Sequence, residues 1–405
     1  MDTFGRMWAD LAPVGRHPAT GGYRRYAWTR TDAVLREWFR GEARQRGLDV
    51  VPDRAGNLWA WTADPDTAAD AGRPGLAMGS HLDSVPDGGA FDGPLGVVSA
   101  FAALDLLRSR GLLPWRPLGI VCFGDEEGAR FGVACAGSRL LTGVLDPDRA
   151  RGLTDDDGTT LAEAVSAAGA DPRTLGRDDE ALRRVGTLVE LHVEQGRALA
   201  EVPGDRGAVG VASAIWPHGR WRLDLLGRAD HAGTTRLADR RDPMLAFAAA
   251  VPAARSAAER HGALATVGKV RVRPNGANAI PAEVTAWLDA RGREETDVRA
   301  VVAEVGTAAG AVPVEGSWTP STVFAPLLRD RLATVLAGHD GVPAPVLPTG
   351  AGHDAGILSG AGIPTAMLFV RNPTGVSHSP AEHAEPADCR AGVAALARVL
   401  EDLAC

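Results

Sequence analysis

Lysine is almost missing from this 405-residue chain: Lys269 is the single one, and arginine carries the rest of the 43 basic residues. That skew reads as coding bias more than as function. Against 51 acidic residues the formal net charge is −8, which argues against nucleic acid or an anionic membrane as a partner. Cysteine is scarce as well. Cys122, Cys135, Cys389 and Cys405 show no C-x-x-C spacing, which disfavours a cysteine-held structural zinc and a dithiol redox pair and suits a reducing cytosol. Long apolar runs are also lacking: "VVSAFAALDLL" has the length of a buried helix, well short of a membrane span. The opening "MDTFGRMWADLAPVGRHP" has an acid at position 2 and no apolar stretch, so no secretory signal is expected there. The expectation is a soluble, cytoplasmic protein.

What is present is ordinary globular material, 45% hydrophobic and 23% charged, in a chain too long for one core. Two domains are therefore expected. The first half alternates helix-like and strand-like stretches. "TRTDAVLREWFRGEARQRGL" and "GPLGVVSAFAALDLLRSRG" read as helices, "GNLWAWTA", "RPGLAMGS", "PLGIVCF" and "TLVELHV" as strands. This order predicts an α/β fold with a mostly parallel sheet flanked by helices. From residue 213 to 324 the order becomes βαββαβ: "RWRLDLLGRAD", "DPMLAFAAAVPAARSAAERHG", "ATVGKVRVRPN", "EVTAWLDARG", "TDVRAVVAEVGTAAG", "VPVEGSW". That is the order of a ferredoxin-like α+β domain. "GIPTAMLFV" and "DCRAGVAALARVLEDLA" then return to the earlier pattern. Residues 1–212 and 325–405 are thus expected to form one discontinuous domain, with 213–324 inserted in it.

Ligands of such sheets gather at the carboxyl ends of the strands. Four stretches put metal-binding residue types there: His81 with Asp83 and Asp92 in "HLDSVPDGGAFD", Asp125-Glu126-Glu127, "ELHVEQG" around His192, and "GVSHSPAEHAEP" around His378. Histidine with carboxylate is the usual donor set of a hydrolytic zinc or manganese site. Two ions about 3.5–4 Å apart need a bridging carboxylate, and Asp92 is placed for that. Each piece alone has an ordinary reading. "EE" is commonly a solvated pair, a strand-end His a hydrogen-bonded structural residue, and "DGGAFDG" a turn with Asx bonding. The coincidence of all four at one sheet's strand ends is what favours a site. Spacing alone does not choose between His378 and His383.

"GSHLDSVPDGGAFDGPLGV", "DEEGARF", "ELHVEQG", "GRADHAGTT", "RPNGANAIPAEV", "LDAR", "GAGHDA" and "GVSHSPAE" resemble the hydantoinase/carbamoylase family of binuclear amidohydrolases. The resemblance runs over nearly the whole chain in the same order. It implies His81, Asp92, Glu127, His192 and His378 as ligands of two divalent ions, zinc or manganese, with cobalt and nickel also accepted by such sets. Asp92 would bridge, Glu126 would be the general base, and Asp83 would orient His81 through its second ring nitrogen. His231, on the inserted lid and dimerisation domain, would stabilise the oxyanion in the partner's site of a homodimer. Asn278 and Arg291 match the clamp for the substrate carboxylate, and Gln195 a residue near the ureido group. Arg291 has the alternative reading of a surface arginine. "FVRNPTGVSHSP" departs from many relatives in Arg371 and Asn372, and an added arginine would suit a second anionic group, as in allantoate. The implied activity is hydrolysis of a terminal ureido C–N bond in allantoate or an N-carbamoyl-L-amino acid. The alternatives are a dimetal aminoacylase or dipeptidase, and a non-catalytic binder on the same scaffold. Asp87, His218, His353 and His383 receive no firm role.

Overall fold

Proline at the first helical position and glycine beyond the last turn mark out the helix Pro94–Ser109, which starts after Gly93 and stops before Gly111. Its apolar first three turns are buried on all sides, between the sheet and the C-terminal helix Pro386–Ala404. The computed structural model describes residues 2–338 and 340–405. They divide into two compact units, one of residues 2–214, Val323–Thr349 and His353–Cys405, the other of Ile215–Thr322 and Gly350–Gly352.

The first unit is built on a mixed sheet. Its main strands follow the order Asp49–Pro52, Leu58–Trp61, Leu118–Phe123, Gly75–His81, Val185–Val193, Thr365–Val370 and Val209–Ile215, and Val346–Thr349 pairs with the last of these. The four central strands run parallel, with an antiparallel hairpin at one edge and antiparallel Val209–Ile215 beyond Thr365–Val370. These central strands read as continuous apolar runs because both faces are covered. Val209–Ile215 was not expected from the sequence: "VGVASAI" has small residues where an apolar alternation would show. Register brings the chemistry into line. His81 pairs with Phe123 and Phe369 with His192, so the carboxyl ends of neighbouring strands finish side by side.

The second unit is a four-stranded antiparallel sheet in the order Val314–Thr319, His218–Leu226, Glu283–Arg291, Leu264–Arg273. Helices Pro243–His261 and Glu295–Ala309 pack on it through Ala250, Ala254, Val298, Val301 and Val305 against Leu223, Val284 and Leu288. The alternation in "HGRWRLDLL", with Trp221, Leu223 and Leu225 inward, produces that single apolar face. The strand order is that of a ferredoxin-like sandwich.

Candidate metal centre and active site

His81 ends its strand fully buried, and its Nδ1 lies 3.2 Å from the backbone carbonyl of Asp83. His192, at the end of Val185–Val193, places Nδ1 2.8 Å from the carbonyl of Val193. A carbonyl only accepts, so in each neutral ring the proton sits on Nδ1 and the Nε2 lone pair is left for another partner. Both Nε2 atoms face one oxygen of Asp92, at 3.6 and 3.2 Å, and neither makes a hydrogen bond among the described residues. The other Asp92 oxygen faces His378 Nε2 at 3.4 Å, and that nitrogen lies 3.6 Å from Glu127 Oε2. One carboxylate therefore divides its oxygens between two groups, His81 with His192 on one side and His378 with Glu127 on the other. Within each triad the ligand atoms lie within 4.8 Å of one another. Buried polar atoms without partners are rare in folded proteins, and nitrogen–oxygen triads of this kind suit divalent ions.

Local backbone explains how the side chains converge. Gly93 has a φ of 85°, and a Cβ there would stand 2.4 Å from the His81 ring, so the chain passes directly under the imidazole. Asp125 sits in the left-handed region at the end of Leu118–Phe123 and turns the chain so that Glu126 and Glu127 both point inward. The Asp83 carboxylate accepts the amide N–H groups of both glutamates, at 3.2 and 3.0 Å, while its Oδ1 is 3.5 Å from His81 Nδ1. Asp83 thus holds the acidic turn, and it is the Asp83 backbone carbonyl that stands nearest the ring nitrogen. Glu126 is buried, with Oε1 3.3 Å from the Cys135 thiol that donates to it and Oε2 3.8 Å from His81 Nε2. On the last arm Asn372 Oδ1 accepts the N–H of Thr374 and Gly375 and the Thr374 hydroxyl, shaping the loop that presents His378.

The electrostatics describe a centre short of positive charge. Burial, then the charge of Asp92, pushes the Glu127 carboxyl up to about 7. Burial raises Glu126 well above its ordinary range, helped by Asp354 and Glu127 against the pull of His81. Burial also works to lower His81, but Glu126, Asp83 and Asp92 outweigh it and raise the ring. Asp92 is the exception: burial disfavours its charge, yet His192, His378 and His81 hold it well below the usual carboxylate range.

His383 pairs with Glu385 at 3.1 Å and packs its ring against Phe91, so among the two late histidines His378 is the one in the cluster. Gln195 donates to Asp92 Oδ2 at 2.9 Å. Glu194 accepts the N–H groups of Ala198 and Leu199, a loop-holding role. Asp87 accepts two hydrogen bonds from Arg24 and one from Thr20. Arg371 corrects an expectation: its guanidinium forks onto buried Asp388 with two 2.8 Å bonds and donates to the carbonyl of Gly204. It ties the end of a strand to the C-terminal helix and supplies no argument for a second anionic substrate group. Sequence reading passed over Cys135, Ser377 and Glu382, whose side chains touch Glu126, Asp92 or the Asp92 peptide.

His231, Asn278 and Arg291 belong to the second unit. His231 pairs with Ala279, and the Asn278 carbonyl accepts the N–H of Ala232 at 3.0 Å, so the first two are neighbours there. The exposed His231 ring accepts the N–H of Gly233 at Nδ1, which leaves its proton on Nε2 as a donor. Arg291 binds Asp289 through Nε and one terminal nitrogen, at 2.8 and 2.6 Å, and the Gly350 carbonyl at 3.0 Å through the other. Among the described residues these bonds use one N–H of each terminal nitrogen.

Comparison with known proteins agrees with this architecture. The model of Peptidase family M20/M25/M40 matches residues 77–402. An N-carbamoyl-L-amino acid amidohydrolase of Geobacillus stearothermophilus is 37% identical, covering 98% of both chains. The allantoate amidohydrolase of Escherichia coli K12 is 31% identical over 97% of this chain and 96% of its own. The crystal structure of a hydantoinase/carbamoylase family amidase from Burkholderia vietnamiensis superposes with a TM-score of 0.87 at 29% identity, covering 100% of this chain and 99% of that one. The chain belongs to the M20/M25/M40 peptidase family and, within it, to the hydantoinase/carbamoylase amidohydrolases.

Proposed function

We propose that this enzyme hydrolyses the C–N bond of a terminal ureido group in a small carboxylic acid, releasing ammonia and carbon dioxide. Its substrate is allantoate or an N-carbamoyl-L-amino acid, the two kinds that the names of its relatives point to. The observation that carries the reading is the division of the Asp92 oxygens between the His81/His192 and His378/Glu127 groups. His81, His192 and one Asp92 oxygen would hold one divalent ion, and His378, Glu127 and the other oxygen a second, zinc or manganese by donor type. When bound, such ions polarise the carbonyl and acidify water.

The chain's own groups supply the rest. Glu126, buried with Oε2 toward His81 Nε2, takes a proton from the attacking water and passes it to the departing nitrogen. The Cys135 thiol fixes one of its oxygens and leaves the other toward the centre. His231 offers an Nε2–H to the developing oxyanion. Asn278 and Arg291 hold the substrate carboxylate, and Gln195 lies by the ureido group. The enzyme acts as a homodimer, with His231 serving the partner's site. An exposed ten-residue edge strand, Leu264–Arg273, with Leu264 and Val270 outward, supports pairing between copies.

Ammonia release from metal-loaded enzyme tests the reaction. The substrates are allantoate, several N-carbamoyl-L-amino acids, N-carbamoyl-β-alanine and an N-acetyl amino acid. Turnover of one or more ureido acids is expected, with none of the acetyl compound. Acetate release without ureido turnover would replace this reading with an aminoacylase.

A further inference from the structure

Glu382 lies 290 positions along the chain from Asp92, yet its carboxylate is buried against the Asp92 peptide. Oε2 accepts the N–H of Phe91 at 2.8 Å and that of Asp92 at 3.0 Å. Oε1 accepts the hydroxyl of Ser377 at 3.2 Å, and the same hydroxyl lies 3.1 Å from Asp92 Oδ2. Gly89 makes room for this contact, since a Cβ there would stand 2.2 Å from Oε2. We infer that Glu382 is a positioning residue for one half of the dimetal centre: it ties the peptide of the bridging Asp92 to the loop that presents His378, and so sets the ion held by Asp92 Oδ2, Glu127 and His378.

The selectivity follows from how each half is supported. His81 and His192 end two central strands, and backbone carbonyls hold their Nδ1 atoms, so the sheet itself aims them. His378 sits instead on a loop, in the left-handed region and with its side chain 47% exposed, and the hydroxyl of neighbouring Ser377 reaches both Asp92 and Glu382. A neutral group would satisfy two amides and a hydroxyl equally well. A buried carboxylate beside the Asp92 carboxylate is costly unless cations lie close by, which fits a role toward metal.

The inference rests on the dimetal reading, and the test separates the two. Full-length protein, stripped of metal, is titrated with Mn²⁺ by calorimetry, and its melting temperature is recorded with and without the ion. Wild type is expected to bind two ions per chain. In Glu382→Ala one of the two ions loses about 10–100-fold in affinity, the scale seen when groups that orient metal ligands are removed, while the other holds; the metal-free melting temperature falls, because the Phe91 and Asp92 amides lose their acceptor. Glu382→Gln, which still accepts from the amides and donates to Ser377, recovers most of the loss. Gly89→Ala, which displaces an intact Glu382, reproduces it and decides the matter if Glu382→Ala fails to fold. Two unchanged affinities in both Glu382→Ala and Gly89→Ala, or equal losses at both ions, overturn the inference alone. A wild type that binds fewer than two ions overturns the dimetal reading and the inference with it.

Discussion

Asp92 meets more of the centre than any other side chain: three histidines, Gln195 and Ser377 all lie within reach of its two oxygens. Glu126 has a different position, buried beside the cluster, with a thiol on one oxygen and a histidine near the other. Glu126→Gln keeps the volume and removes the ability to take a proton. It is expected to lower kcat by about 10²–10⁴-fold with metal content by atomic emission unchanged. Loss of metal along with activity would instead make Glu126 a ligand. Glu127 gives a dependence on pH. Its carboxyl stands at about 7 in the folded, metal-free chain against an ordinary 4.5. Between those values the folded state keeps a proton that the unfolded state has released, so metal-free stability falls as pH rises across the window. Metal binding expels that proton, and Mn²⁺ affinity is expected to rise with pH across the same window. Calorimetry in two buffers of different ionisation enthalpy reads the proton release directly. At this scale the ligand types were legible, because histidine and carboxylate beside glycine at strand ends is an uncommon conjunction. The commitment of Arg371 was not. Its partner Asp388 is 17 residues away, and only the packing of the last helix on the sheet brings them together.

Strand ends and their turns do most of the placing. The Asp125 turn presents two glutamates, and Asp83 fixes it by accepting both amides. Asp83→Ala leaves two buried N–H groups without an acceptor, at about 1–3 kcal/mol each. Lower melting temperature and weaker metal binding are expected together. Arg371→Ala is the contrasting case. It uncovers Asp388 and is expected to cost about 1–3 kcal/mol in denaturant unfolding, with substrate preference unchanged. A change in preference between allantoate and N-carbamoyl-L-amino acids would return Arg371 to the pocket. The central strands and long helices could be read from apolar runs, caps and glycine stops, and the βαββαβ order from alternating strands. Val209–Ile215 and the short helix Asp354–Gly360 escaped notice. Both are rich in glycine, alanine or serine, so no periodic apolar signal marks them.

The first unit gathers the five proposed ligands and Glu126, while His231, Asn278 and Arg291 lie in the second. If His231 serves the partner's site, mixed chains reveal it. Glu126→Gln and His231→Ala homodimers are each expected to be nearly inactive. Co-refolded at equal amounts they regain about a quarter of wild-type ammonia release, because half the dimers then hold one complete site. No recovery would place His231 in its own chain's site. The central claim is that two ions held through Asp92 are required for ureido hydrolysis. Stepwise reloading of chelated enzyme, with ammonia release measured against bound metal, tests it most directly. Almost no ammonia is expected from the stripped chain, with a plateau reached only at two ions per chain. Full activity in the stripped chain, or a plateau at one ion, would contradict it.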